Sequence, residues 1–150
     1  MNAYQTVEER IRHDIADAAD MREAADRTVA ALKETLPNYT WVGVYMLDGN
    51  ELVLGPFRGK PSTHTRIPVG RGICGAAAAE KATIVVDDVS TDKRYLACSP
   101  ETQSEIVVPI MRGNDVLGEL DVDSDHPKAF DRHDRELLER VAKMLAEKEP

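Results

Sequence analysis

A chain of 150 residues with 42% hydrophobic composition is sized for one domain with a core of its own. Its formal net charge of −8, with the basic residues scattered and forming no run, argues against nucleic acid or an anionic membrane as a partner, because phosphate surfaces are met by clustered Lys and Arg. No apolar stretch approaches the roughly 20 residues of a membrane-spanning helix, the charged N-terminus has no apolar signal core, and two cysteines make no disulfide framework, so a cytoplasmic protein is expected.

The first 36 residues carry apolar positions at helical spacing: Val7, Ile11, Ile15 and Ala18, then Met21, Ala25, Val29, Leu32 and Leu36. Pro37-Asn38 ends this N-terminal helical region, and residues 38–148 form the ligand-binding or catalytic core. The run YTWVGVYMLDGNELVLGPF reads as two strands turning at Asp48-Gly49-Asn50. An extended piece, a glycine-rich turn and a short Ala-rich helix follow in THTRIPVGRGICGAAAAEKA. TIVVDDV is a buried-type strand, STDKRYLACSPETQ a polar loop, and EIVVPIMRGNDVLGELDVDSD a second hairpin turning at Gly113-Asn114-Asp115. The last segment is an amphipathic helix with Asp131 as N-cap and Leu137, Leu138, Val141 and Leu145 on its apolar face. The expected class is α+β, a central antiparallel sheet with the N- and C-terminal helices packed on one face and the other face left for loops, ligand or water.

Period-2 alternation sorts the second hairpin. Leu120 and Val122 point toward the helices, and Glu119, Asp121 and Asp123 point away. In the partner arm Glu105, Val107 and Pro109 separate from Ile106, Val108 and Ile110, which brings Glu105 near Asp123 at the open end. Like charges on neighbouring strands repel. Such a cluster holds if a cation binds it or if an acid keeps its proton. No metal-loop spacing accompanies these acids, so no metal site is expected, and an organic ammonium ion is the alternative.

Cys74 falls at a predicted helix N-terminus among Gly70, Gly72 and Gly75, a position whose exposed N–H groups favour a thiolate. Cys98 follows DKRYLAC, where Lys93 and Arg94 are a possible source of positive potential. Either thiol alone reads as a small buried hydrophobe. Two on such loops beside a carboxylate cluster also suit a redox pair. In that chemistry a thiolate attacks an oxidised sulfur, an acid protonates the oxygen, and a second thiol condenses with the sulfenic acid.

The segments WVGVY, LVLGPFRGK, RIPVGRGICG, ACSPETQSEIVVPI and GELDVDSD together resemble the single-domain GAF proteins that reduce free methionine-(R)-sulfoxide. The likeness runs from about Asn38 to the last helix. Two cysteines 24 apart match two of that family's three. It implies a GAF-like fold, no cofactor, free methionine sulfoxide as substrate, thioredoxin or a similar dithiol as reductant, and a Cys74–Cys98 disulfide as intermediate. By the same resemblance Cys98 is the nucleophile. Glu105, Asp121 and Asp123 hold the substrate amine and assist at the sulfoxide oxygen, with Glu105 or Asp123 as proton donor. Trp41 and Tyr45 wall the substrate methyl group; without the resemblance they read as core aromatics. Backbone N–H groups near Ala97 and Cys98 face the oxygen. One departure stands out: the family's further cysteine, ten residues before Cys74, is His64 here. That leaves Cys74 or an outside thiol to resolve Cys98, or a non-catalytic module that binds an amino-acid-like ligand as the other reading. The apolar stripe of residues 4 to 18 suggests a homodimer through the terminal helices if it lacks a partner inside the chain.

Overall fold

The N-terminal segment breaks into two helices, because Asp20 turns its side chain onto the Glu23 N–H and starts a second helix. The computed structural model describes residues 1–96 and 99–149. In it α1 (Ala3–Asp17) and α2 (Met21–Thr35) precede the hairpin of β1 (Trp41–Asp48) and β2 (Glu51–Arg58). Then come β3 (Arg66–Pro68), α3 (Gly72–Glu80), β4 (Ile84–Val86), a 3-10 turn at Val89–Thr91, the hairpin of β5 (Ser104–Arg112) and β6 (Asp115–Ser124), and α4 (Arg132–Lys148). Both hairpins close on two residues, with Asp48 opposite Glu51 and Arg112 opposite Asp115. In each, glycine takes the first turn position with positive φ, 61° at Gly49 and 59° at Gly113.

The six strands form one sheet in the order β3-β2-β1-β6-β5-β4, and every neighbouring pair is antiparallel. The two longest hairpins thus meet at β1 and β6 in the middle. Val42, Val44, Ile106, Val108, Ile110, Leu120 and Val122 face one way and pack with α1, α2 and α4. Each apolar side chain fully buried there contributes about 1.5–3 kcal/mol relative to exposure. Asp131 caps α4 through the N–H groups of His133 and Asp134, and Leu137, Leu138, Val141 and Leu145 are buried as expected.

The stripe on α1 needs no partner from outside. Val7, Ile11 and Ile15 are buried in the same cluster as the apolar faces of α2 and α4, and Arg140 of α4 pairs with Glu8 at 2.8 Å. The homodimer therefore loses the feature that suggested it.

The second face carries a smaller cluster in which Ile73, Cys74, Ala76, Ala77 and Ala78 of α3 pack on Tyr45, Leu52, Ile67, Ile84, Val86 and Val107. So α3 lies opposite the other three helices, and the site is built between it and the sheet. No helix among the described residues is long and apolar enough to cross a membrane.

Candidate active site

Strand pairing stacks the chemistry-bearing residues in three rows across β5, β6 and β1. Glu105 lies opposite Asp123 and Asp123 opposite Trp41; Val107 opposite Asp121 and Asp121 opposite Gly43; Pro109 opposite Glu119 and Glu119 opposite Tyr45. Paired residues share a face, so four carboxylates and two aromatics look the same way, as alternation predicts. All four acids are buried: Glu105 is 6% exposed, Glu119 0%, Asp121 3% and Asp123 5%. No ion pair among the described residues reaches any of them. Both Glu119 oxygens, Asp121 Oδ1 and Asp123 Oδ1 are buried without a hydrogen-bond partner.

These groups are buried and no Lys or Arg among the described residues pairs with them, so the protonated forms gain. Burial pushes Glu105 well above the usual carboxylate range, and the charges of Asp121 and Asp123 add to this. Asp123 is driven up by burial and then by Asp121. Glu119 is raised by burial and by Asp121. Burial raises Asp121 too, but hydrogen bonds from Glu105, Cys74 and Asp123 oppose it. Asp121 is thus the member of the group whose rise is most opposed by hydrogen bonding, while burial and neighbouring charge both favour the protonated forms of Glu105 and Asp123.

Cys74 occupies the first turn of α3, and its buried thiol donates to Asp121 Oδ2 at 3.4 Å. The expected activation by the helix terminus does not prevail. Burial pushes the thiol well up, and Asp121, Glu105, Glu119 and Asp123 push it further. A helix N-terminus is worth at most about 2 kcal/mol to an anion, and four nearby acids with burial outweigh it. Arg94, expected with Lys93 as a source of positive potential for Cys98, pairs with Asp92 at 2.7 Å and Glu80 at 3.7 Å.

Two cavities adjoin the cluster. An outer pocket of about 60 Å³ is lined by Trp41, Lys60, Ser62, Ser99, Thr102 and Asp123 among others. An inner one of about 20 Å³ is lined by Tyr45, Ile73, Cys74, Leu96, Glu105 and Asp121 among others. The Trp41 ring stacks on Phe57 with centroids 5.8 Å apart, and its N–H donates to the Lys60 carbonyl at 2.9 Å. Tyr45 donates its hydroxyl to the His64 carbonyl at 2.9 Å, tying the segment that carries His64 to the sheet. Ala97 and Cys98 lie outside the described residues. Phe57 and the backbone of Lys60 escaped the sequence reading, since only the β1–β2 pairing brings them beside Trp41. Glu119 was placed on the right face by alternation, but its contact with the Cys74 thiol was not foreseeable from spacing.

Comparison with known proteins bears on this arrangement. The GAF domain family model matches residues 20–148. The chain is 46% identical over 117 residues to GAF domain-containing protein A of Dictyostelium discoideum, covering 77% of this chain and 73% of that protein. It is 41% identical over 123 residues to the free methionine-R-sulfoxide reductase of Escherichia coli, covering 79% and 74%. A solved structure of the free methionine-R-sulfoxide reductase of Neisseria meningitidis, in complex with its substrate, superposes with a TM-score of 0.92 at 41% identity, covering 97% of this chain and 87% of that one. The six-stranded sheet, the buried acids behind Cys74 and these likenesses lead to one assignment: the chain belongs to the GAF domain family and, within it, to the free methionine-(R)-sulfoxide reductases.

Proposed function

We propose that the chain reduces free L-methionine (R)-S-oxide to L-methionine. The observation that carries this reading is the buried group Glu105, Asp121 and Asp123, which no Lys or Arg among the described residues pairs with, beside the Trp41–Phe57 wall. A free amino acid offers what that group lacks, an ammonium ion, and its sulfur end offers a methyl group suited to an aromatic wall. Relatives named for this activity add support: they share 38–41% identity with the chain.

In the reaction the Cys98 thiolate attacks the sulfoxide sulfur. Glu105 or Asp123 gives a proton to the sulfoxide oxygen, which passes to Cys98 as a sulfenic acid while methionine leaves. Because hydrogen bonding to Asp121 and Asp123 favours the protonated form of Glu105, Glu105 is the better donor. Backbone N–H groups at Ala97 and Cys98 steady the oxygen as charge develops. Cys74 then condenses with the sulfenic acid, forming the Cys74–Cys98 disulfide and releasing water, and a thioredoxin-type dithiol in the cytoplasm reduces it. Ser99, one peptide bond from Cys98, lines the outer pocket, and Leu96 lines the inner one.

The second reading, a non-catalytic module that binds an amino-acid-like ligand, is favoured by His64, which stands where the family's further cysteine is expected. One assay separates the two. Methionine released from free methionine sulfoxide with dithiothreitol is expected for wild type with the R epimer and at background for Cys98→Ser. Wild type that binds the R epimer yet never turns it over establishes the binding module instead.

A further inference from the structure

The Cys74 thiol has a geometry that sulfoxide reduction does not require. Its sulfur and one carboxylate oxygen each from Glu105 and Asp121 lie within 4.8 Å of one another, and all three residues are buried. The Cys74 Sγ to Asp121 Oδ2 separation, 3.4 Å, is only slightly shorter than the spacing of two ligands on one tetrahedral zinc ion, about 3.5–3.7 Å from Zn–S and Zn–O bond lengths. A second and independent feature points into the same place. Glu119 is completely buried, neither of its oxygens has a hydrogen-bond partner, and it lies against Cys74. A carboxylate buried without a partner is unfavourable, and a cation seated on the thiolate would offset much of that. The small inner cavity has Cys74, Glu105 and Asp121 in its wall.

We propose that the reduced protein binds one borderline-soft divalent cation of the zinc(II) class on Cys74, Glu105 and Asp121, with Glu119 completing or neutralising the site. Sulfur selects this class. Calcium asks for six to eight oxygens and magnesium for an octahedral, largely hydrated shell, and neither takes a thiolate. Binding displaces the thiol proton and the protons held by the carboxyl groups, so affinity rises with pH and protons are released. The metal and an ammonium-bearing ligand compete for the same oxygens. If the chain is a reductase, the metal also withholds the thiol that resolves Cys98, and oxidation of Cys74 releases it. Metal binding itself does not rest on the reductase reading.

The test uses the full chain, reduced with a phosphine and desalted. Zinc is titrated against a colorimetric chelator, and cadmium is followed by its thiolate charge-transfer absorption. One equivalent is expected to bind. The cadmium band should persist in Cys98→Ser and vanish in Cys74→Ser, whose zinc affinity should fall about tenfold or more. Glu119→Gln, which leaves both other ligand types in place, should weaken binding as well. Absence of one-to-one binding, or a Cys74→Ser chain that is folded by circular dichroism and binds as tightly as wild type, overturns the proposal. So does loss of the band in Cys98→Ser. An inactive reductase with an intact band would fail the functional reading alone.

Discussion

A single ring shows how tightly the site is drawn. The Trp41 indole lies across Gly43, where an added Cβ would overlap the ring edge and stand 2.7 Å from Cζ3. Gly43 is opposite Asp121, so the missing side chain is what lets the aromatic wall stand beside the acids. In Gly43→Ala the ring has to leave, because overpacking of this kind costs about 1–3 kcal/mol if nothing yields. Trp41 is the one tryptophan in the chain, so its fluorescence reports the move directly. A red-shifted emission and a several-fold weaker affinity for methionine or its sulfoxide are expected. Unchanged emission and affinity would mean that the ring position is not what forms the wall.

Among the elements, α4 is held by a device visible in FDRHD. Asp131 accepts from the N–H groups of His133 and Asp134, and Asp134 Oδ2 accepts from the Asp131 N–H at 2.9 Å. Asp131→Ala should lower stability by about 1 kcal/mol, read as a lower urea midpoint with an unchanged slope. No change would show that the reciprocal bond from Asp134 caps the helix alone. Such short-range signals explain what was legible in the sequence: both two-residue turns, the α4 cap and the alternation that put Glu105, Asp121 and Asp123 on one face. What stayed hidden depends on distant partners. The α1 stripe finds α4 more than a hundred residues later, so it looked unpartnered. Cys74 sits at a helix start, which by itself predicts an acidic thiol. The β6 acids that reverse this reach it only through the fold. The role assigned to Cys98 rests on resemblance and on its neighbours.

For the molecule as a whole, the buried acids set how stability responds to pH. Glu105, Glu119, Asp121 and Asp123 all have folded values above the ordinary carboxylate range, with burial the largest cause in each. Below the unfolded values, about 3.9–4.3, both states hold these protons and the raised values favour folding in full. As pH rises from there the unfolded chain ionises while the folded chain keeps its protons. The native state then binds more protons, and stability falls with pH until the folded groups ionise as well. Carboxylates lowered by ion pairs, such as Glu8 and Asp92, act in the opposite sense, but they are held by surface arginines and are largely screened. The urea midpoint should therefore drop as pH rises above about 4.3. Glu119→Gln keeps the shape of the side chain and removes one of the titrating groups. It should flatten the pH profile by up to about 1.4 kcal/mol per pH unit over the affected window. A wild-type midpoint that climbs across this range would show that the buried cluster is ionised and compensated in the folded state. A Glu119→Gln profile parallel to wild type would show that Glu119 is not among the groups that retain a proton.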